Sequence, residues 1–154
     1  MSMDKVHSRA SAAEEKEQIL RKLVGIVLNS TSPADDRLNA KQTLRRIGDD
    51  TIGDVLGRAV EESDNVTVIA DAVEVLGFLP PTTGAKSALL RLLWHESAEV
   101  RQSALRALSR VGDHDVATVL LVVMSDSNNP SSIFDNTDGQ LAQQARVAIL
   151  RRAD

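Results

Sequence analysis

The sequence predicts an all-α protein, an α-α superhelix (solenoid) of about four helical hairpins, and three observations point to it. One set of small and aliphatic residues recurs at a spacing of 32 residues. A second apolar segment precedes each copy of this set, so each unit is long enough for two helices. No stretch of useful length alternates apolar and polar residues as a half-buried strand would.

The repeat is carried by alanines at Ala40, Ala72 and Ala104, each followed four residues later by a leucine and three residues after that by an aliphatic residue. Residues at these separations share one helix face, and a small residue there lets neighbouring helices approach closely. A fourth copy, 141–154, has Ala145 in the same position, but 41 residues after Ala104. An insertion is therefore expected before the fourth copy.

The eight predicted helices alternate between a first and a second helix in each unit. The segment 116–124 is rich in β-branched residues, as strands are, but its place in the 32-residue frame favours a helix. The first helices are expected within 17–30, 50–63, 83–96 and 115–126, and the second helices within 36–49, 68–80, 100–113 and 141–154.

The residues between helices support these boundaries. Gly48 and Gly112 are expected to end their helices with a positive φ, and Asp49 and Asp113 to cap the helices that follow. Further predicted helix starts are a capping box of Ser11 and Glu14, Ser32 as the N-cap before Pro33, and Ser97 as an N-cap.

A chain of 154 residues, 42% of them hydrophobic, suits one domain with a continuous core. We expect a disordered tail at 1–10 and a single repeat domain at 11–154, with an insertion loop at 126–139. The start of the chain lacks the apolar region of a signal peptide, and no apolar run suggests a membrane span. With no cysteine, the sequence predicts a cytoplasmic protein that is not bound to a membrane.

One stretch resembles a known repeat. "ESAEVRQSALRALSRVGDHD", residues 96–115, looks like the HEAT-like repeat, especially the short bacterial variant found in phycobilisome lyases. The shared features are an acidic residue before the turn, Val-Arg at the start of the second helix, and Leu-x-x-Val-Gly-Asp at its end. The resemblance spans about 15–154 and is strongest in the third unit. It implies four HEAT-like hairpins.

The second unit departs from this pattern. Ile69 replaces the expected arginine, and Pro80 with Pro81 replaces Gly-Asp. In the HEAT-like family this arginine often ties adjacent repeats to an acidic residue. The resemblance therefore implies such ties for Arg37 and Arg101, and none for the second unit.

The resemblance also implies a function, because the second helices of HEAT-like arrays line a concave face that usually binds partners. The expected role is a non-enzymatic adaptor or scaffold for another protein. Arginine and aromatic residues are common hot spots of protein interfaces, although an ordinary solvated face would carry arginines too. Two rows are expected on this face: Arg46, Phe78, Arg110 and Arg151 form the first, and Gln42, Glu74, Arg106 and Val147 the second. All but Val147 are predicted partner contacts.

The insertion is a second candidate surface. It is polar and turn-rich, but Ile133 and Phe134 stand in its middle, and the preceding helix, 116–124, is apolar nearly all round. These two side chains either fold back over that helix or form a mobile, apolar self-association surface. The second alternative leaves a homodimer open. Trp94 is interpreted as a packed helix end.

The sequence predicts no catalytic residue, metal site or cofactor. It contains no cysteine nucleophile, no G-x-S-x-G motif and no glycine-rich phosphate loop. The pair His95 and Glu96 is similar to the His-Glu pairs by which HEAT-repeat deoxyhypusine hydroxylases hold iron, but one pair cannot supply a metal's ligand set. A calcium loop with Gly139 at its sixth position fails, because Phe134 and Ala145 then stand at the first and twelfth positions, where carboxylates are needed.

The sequence leaves two alternatives to the adaptor. A formal net charge of -4 and 2% aromatic residues argue against nucleic-acid binding, although Arg45, Arg46, Arg106 and Arg110 leave a phosphate site open. The resemblance to phycobilisome-lyase-type repeats leaves open an accessory or chaperone subunit related to bilin lyases, acting on phycobiliproteins.

Overall fold

The computed structural model describes the backbone of residues 2–153 and the side chains of residues 11–153. All regular structure in this part of the chain is helical, and no strand occurs in it, so the all-α prediction is confirmed. The ambiguous segment 116–124 lies in a helix. The helices are α1 (Ser2–Leu28), α2 (Ala34–Ile47), α3 (Asp50–Glu62), α4 (Val66–Leu76), α5 (Thr83–Leu92), α6 (Ala98–Val111), α7 (His114–Asp126) and α8 (Asn136–Ala153).

The packing of these helices follows their order in the chain. Consecutive helices pack against each other as α1 with α2, α3 with α4, α5 with α6, and α7 with α8. The even-numbered helices also form a series, because α2 contacts α4, α4 contacts α6, and α6 contacts α8. Helix α3 contacts both α1 and α5 in the same way. This arrangement fits an α-solenoid, in which each unit contacts its neighbours.

The core lies along the predicted repeat positions. Ala40, Ala72, Ala104 and Ala145 are all buried, and the residues four positions later are buried as well. Small side chains at these points allow the even-numbered helices to lie close together. The repeat in the sequence is therefore the packing seam of the fold. The residues four positions later are Leu44, Leu76, Leu108 and Ile149.

Both predicted aspartate N-caps are confirmed. Asp49 accepts a hydrogen bond from the Thr51 N–H at 2.9 Å, and Asp113 accepts one from the Val116 N–H at 3.1 Å. In the second unit, where Pro80 and Pro81 replace Gly-Asp, Thr82 caps α5 instead. The second unit therefore still has a capped helix start, with a threonine hydroxyl as the acceptor in place of an aspartate carboxylate.

The ends of the helices confirm one glycine prediction and overturn another. Gly48 closes α2 in the left-handed region with a φ of 60°, as expected. Gly112 follows α6 in an extended conformation, with a φ of -71° and a ψ of 154°, so its predicted positive φ is wrong. A residue that leaves a helix in an extended conformation needs no left-handed turn.

Of three further predicted helix starts, one is absent, one is shifted by one residue and one is confirmed. Ser11 lies inside α1, so the capping box that it was expected to open does not start a helix. The N-cap of α2 is Pro33 rather than Ser32, because the helix starts one residue later than predicted. Ser97 is the N-cap of α6 as predicted, although its side chain makes no cap hydrogen bond.

The connection between α7 and α8 is shorter than the predicted loop of 126–139. It spans 127–135, because α8 begins at Asn136. A reciprocal capping box starts this helix: the Asp138 N–H donates to Asp135 Oδ1 at 2.8 Å, and the Asp135 N–H donates to Asp138 Oδ2 at 2.9 Å. The predicted tail at 1–10 lies outside the residues whose side chains are described and stays a prediction.

Candidate functional site

A groove opens on the face that the even-numbered helices share. It encloses about 350 Å³ and is formed by side chains from α2, α4, the turn after α4, and α6. We name it the α4–α6 groove. It is lined by Arg45, Ala70, Asp71, Glu74, Phe78, Ser103, Arg106, Ala107 and Arg110.

Small residues form the groove where α4 and α6 approach each other. A Cβ atom added to Gly77 would lie 3.1 Å from both Cα and Cβ of Ala107, so the two backbones are close at this point. Ala70, Ser103 and Ala107 face the groove with little side-chain volume. Space therefore remains above the contact between the two helices.

Phe78 reaches the groove from the turn that follows the early end of α4. The helix stops at Leu76, and the Phe78 N–H donates to the Val75 carbonyl at 3.0 Å in the turn that follows. The ring remains 39% exposed. It lies between two cations, with the guanidinium carbon of Arg45 3.6 Å and that of Arg110 4.2 Å from its centroid. These are cation–π distances, so the aromatic ring is held in place while half exposed.

The carboxylates of the groove are already engaged by cations of α2. Lys41 Nζ lies 3.1 Å from Asp71 Oδ1 and 3.0 Å from Glu74 Oε2, and Arg37 Nη1 lies 3.6 Å from Asp71 Oδ2. Burial disfavours the charge on Lys41, but the hydrogen bonds and charges of Glu74 and Asp71 outweigh it, so the pKa of Lys41 is raised. These pairs join α2 to α4 and neutralise the acidic side of the groove.

The arginines on the other side of the groove are not neutralised in this way. Arg45, Arg106 and Arg110 are exposed, and no carboxylate in the described part of the chain lies within 4.0 Å of their guanidinium nitrogens. Arg106 and Arg110 are also one helical turn apart on the same face of α6. The groove therefore offers positive charge and bidentate hydrogen-bond donors beside an aromatic ring.

The structure brings together only part of the predicted contact set. Phe78, Arg106, Arg110 and Glu74 line the α4–α6 groove as one cluster. The other three predicted contacts, Gln42, Arg46 and Arg151, are exposed but do not line it.

Arg45 was named only in the phosphate alternative, and its neighbour Arg46 was predicted as the partner contact in its place. The prediction assumed that α2, α4 and α6 continue to the same repeat position, but α4 ends three residues sooner in its unit. Phe78 consequently leaves the helical register and meets Arg45 instead of Arg46. Gly77 and Pro80 in the sequence were signals of this early end.

A similar shift by one residue occurs on α8. Arg152, not Arg151, reaches α6, where its guanidinium donates to the Gly112 carbonyl at 3.1 Å and to the Ser109 carbonyl. These carbonyls belong to the end of α6, where a cation is favourable because the helix dipole is negative there. Arg152 therefore has a packing role and Arg151 stays exposed.

The predicted secondary contacts, Ile133 and Phe134, lie in different environments. Ile133 is exposed, whereas Phe134 is buried and packs edge-on against Trp94 with ring centroids 5.8 Å apart. Phe134 belongs to the core, so its prediction as a surface contact is wrong. The inward position of Phe134 agrees with the other expectation, that this side chain folds back onto the protein, and its aromatic contact is with Trp94 after α5.

The arginines expected to tie adjacent units do so. Arg37 reaches Asp71 between α2 and α4, and Arg101 Nε donates to Asp138 Oδ2 at 3.0 Å between α6 and α8. Arg101 Nη1 also donates to the carbonyls of His95 and Glu96 at 2.9 and 3.0 Å. Arg101 thus binds the turn before its own helix and the start of α8.

A second cavity, of about 460 Å³, lies between α1 and α3 and contains none of the predicted contacts. Its rim includes the ion pair of Lys16 and Asp49, whose atoms are 2.7 Å apart. The hydrogen bond from Lys16 lowers the pKa of Asp49, with further help from Thr51. This side chain therefore serves as an N-cap and as a link between two units.

In the described residues, no group of three or more His, Cys, Asp and Glu side chains could hold a metal ion. His95 instead accepts a hydrogen bond from the Ser97 N–H at its Nδ1 atom, at 3.0 Å. Over the same residues, no helix is both long and apolar enough to cross a membrane.

Comparison with known proteins gives one match. A family model described as HEAT repeats matches residues 54–131, which make up half of the chain and include α4 and α6. No curated protein and no solved structure matches the chain. The matched region carries every lining residue of the α4–α6 groove except Arg45.

Proposed function

Since this chain belongs to the HEAT repeat family, we propose that it is a protein-interaction module, an adaptor or scaffold that binds a partner protein in the α4–α6 groove. HEAT repeats commonly serve this purpose. The proposed action involves no covalent chemistry and takes place in the cytoplasm. The observation that carries the proposal is the half-exposed Phe78 ring between Arg45 and Arg110.

The proposal includes an architecture in which four HEAT-like hairpins form a short superhelix, with the even-numbered helices on its concave face. The order of contacts from α2 to α8 supports this arrangement. A concave surface built from one helix of each unit is the usual binding face of such arrays. The α4–α6 groove would then lie near the middle of that face.

The state of the Phe78 ring favours binding. Ordering a side chain on association costs conformational entropy, and a ring that two guanidinium groups already hold has less freedom to lose. Aromatic and arginine residues are also the types that carry most of the binding energy in protein interfaces. Phe78, Arg45 and Arg110 are thus the proposed centre of the contact.

The test is an affinity pull-down from native lysate, read by mass spectrometry, with wild type and the double variant Phe78→Ala/Arg110→Glu. A matched control, Leu121→Ala/Arg58→Glu, removes one exposed apolar side chain and reverses one arginine away from the groove. We expect a protein that wild type and control both retain and that the groove variant loses. Thermal unfolding of all three proteins checks that they are folded.

If the groove variant retains the same proteins as wild type, the α4–α6 groove is not the binding site. If the control loses the partner as well, the effect of the groove variant is not specific to the groove. Either outcome would contradict the proposal as stated.

A second candidate function is that of an accessory subunit related to bilin lyases. It would require that the repeats are of the phycobilisome-lyase type. The favouring observation is the pair of exposed arginines Arg106 and Arg110 in the groove, which could bind the propionate carboxylates of a bilin. Co-expression with bilin-making enzymes tests it. Visible absorbance that copurifies with wild type and is lost in the groove variant would support this candidate, and a colourless protein would contradict it.

A further inference from the structure

We propose that the α4–α6 groove recognises an acidic segment of the partner protein, with at least one Asp or Glu carboxylate bound by Arg106 and Arg110. This inference rests on the proposed function and adds the chemistry of the partner. It follows from the distribution of charge over the chain, the pairing of charges in the groove, and the shape of the groove.

The distribution of charge favours an acidic partner at this face and disfavours it elsewhere. The chain carries 22 acidic and 18 basic residues, so on the whole it repels an acidic segment. The C-terminal halves of α2, α6 and α8 differ, because they carry arginines and no acidic residue until the helix ends. An acidic segment is thereby directed to the C-terminal halves of these helices, where Arg45, Arg106 and Arg110 line the groove. These arginines are Arg45, Arg46, Arg106, Arg110, Arg146, Arg151 and Arg152.

Inside the groove, the charges that remain available are positive. Asp71 and Glu74 are both paired with Lys41, as the distances above show. Arg106 and Arg110 stand one turn apart, and like charges at that spacing repel each other. A carboxylate between them would relieve the repulsion and accept hydrogen bonds from both guanidinium groups.

The shape and the acidic rim favour a protein segment over a nucleic acid. A space of about 350 Å³ above Ala70, Ser103 and Ala107 suits one or two side chains. The Glu74 side chain is half exposed, so its pairing with Lys41 offsets its charge only in part, and a continuous chain of phosphates beside it is disfavoured. A peptide that alternates acidic and neutral residues can place its carboxylate near Arg106 and a neutral residue near Glu74.

The probe is a fluorescein-labelled peptide, (Glu-Ala)4, with (Gln-Ala)4 as the uncharged peptide and an oligonucleotide of eight deoxythymidines as the phosphate polymer. Binding to the full chain is measured by fluorescence anisotropy at low and high salt. We expect the acidic peptide to bind, to weaken as salt rises, and to be preferred over both other probes.

Two variants locate the binding. Arg106→Gln should weaken the acidic peptide by about tenfold or more, as expected when a hydrogen bond to a charged group is lost. Arg58→Gln changes the net charge by the same amount on α3, outside the groove, and should leave the affinity close to that of wild type. Both arginines are exposed, and thermal unfolding checks that both variants fold.

Four results would overturn the inference. Equal binding of both peptides, or equal weakening by both variants, would show that the groove does not recognise carboxylates. Preference for the oligonucleotide would assign the arginines to a phosphate polymer. Self-association of wild type in sedimentation, lost in Arg106→Gln, would make a second copy of the chain the occupant.

The pull-down and the peptide experiment fail independently. If the groove variant loses a partner from lysate but (Glu-Ala)4 does not bind, the adaptor function stands and the acidic class of partner is wrong. If (Glu-Ala)4 binds through Arg106 but no partner depends on the groove, the carboxylate site stands and the adaptor function is wrong.

Discussion

Two arginines at the same position of the repeat, Arg37 and Arg101, join neighbouring units in different environments. Arg37 keeps 21% of its side-chain surface exposed and meets Asp71 at 3.6 Å, where Lys41 is also bound. Arg101 keeps only 5% and meets the fully buried Asp138 at 3.0 Å. An arginine at the same position of the repeat thus makes a partly exposed polar contact in the α2–α4 junction and a buried ion pair in the α6–α8 junction.

The difference teaches that burial, rather than the presence of an ion pair, decides what each arginine does. A charge in water loses little when its partner is removed, whereas a buried carboxylate without a partner is strongly disfavoured. Asp138 is also part of the capping box of α8, and its Oδ1 accepts no hydrogen bond from the described residues. The junction of α6 and α8 therefore depends on Arg101 far more than the junction of α2 and α4 depends on Arg37.

The largest expected effect is that of Arg101→Met. It leaves the Asp138 carboxylate buried with no cation, so the free energy of unfolding should fall by about 3–5 kcal/mol. Urea unfolding followed by circular dichroism measures this change. The double variant Arg101→Met/Asp138→Asn removes both charges and keeps an acceptor for the Asp135 N–H. This double variant should recover most of the lost stability. If it does not, the buried charge of Asp138 is not what distinguishes the two junctions.

The junction of α4 with α6 lies between the two junctions that arginines make. It has Ile69 at the arginine position of the repeat and depends on close packing instead. In Gly77→Ala the new Cβ would lie 3.1 Å from two atoms of Ala107, so the helices must separate, at a cost of about 1–3 kcal/mol. The backbone of Gly77 is helical, with a φ of -67°, so conformational strain adds nothing.

Gly25→Ala is the matched control for this packing prediction. Nothing lies within 4 Å of a Cβ added to Gly25, in the last turn of α1, so alanine should stabilise the protein there by up to about 1 kcal/mol. The same urea unfolding experiment serves for both variants. Two changes of the same sign would show that the α4–α6 contact is not tight.

A much smaller effect is expected for Arg37→Met. Its pair with Asp71 is partly exposed, Lys41 remains bound to the same carboxylate, and Arg37 Nε is buried without a hydrogen-bond partner. The free energy of unfolding should therefore change by less than about 1 kcal/mol. A loss as large as that of Arg101→Met would contradict the distinction between the two junctions.

Much of the fold could be predicted from the sequence because one physical pattern repeats. The alanines at Ala40, Ala72 and Ala104 mark the buried seam, and the caps at Asp49 and Asp113 follow from local hydrogen bonding. The start of α8 was not predicted, although the spacing of Asp135 and Asp138 resembles a capping box. Two carboxylates in a polar stretch are easily interpreted as a solvated loop, and their partner Arg101 lies far away in the sequence.

The site was predicted in composition but not in register. Phe78, Arg106 and Arg110 do line one groove, because their helices stack in the order of the repeats. The exchange of Arg45 for Arg46 arose from the early end of α4, which a strict repeat frame does not include. Phe134 was left between two alternatives for another reason: whether an aromatic side chain in a loop covers the core depends on tertiary contacts that a spacing does not contain.

The smallest expected effect is a difference between the two junctions in how their stability depends on pH. The pKa of Lys41 is raised in the folded protein, so its contribution to stability is complete below its ordinary pKa of 10.5 and is lost as the pH rises through the raised value. Arginine keeps its charge in this range, so the junction made by Arg101 should not respond. Between pH 8 and pH 11, urea unfolding should show a greater loss of unfolding free energy for wild type than for Lys41→Arg.

The other lysines titrate equally in both proteins, so they do not affect this comparison. Lys86, whose pKa is raised by its hydrogen bond with Asp113, is one of them. Equal losses would mean that Lys41 contributes nothing to the α2–α4 junction, and the exposed junction would then owe its stability to apolar packing alone.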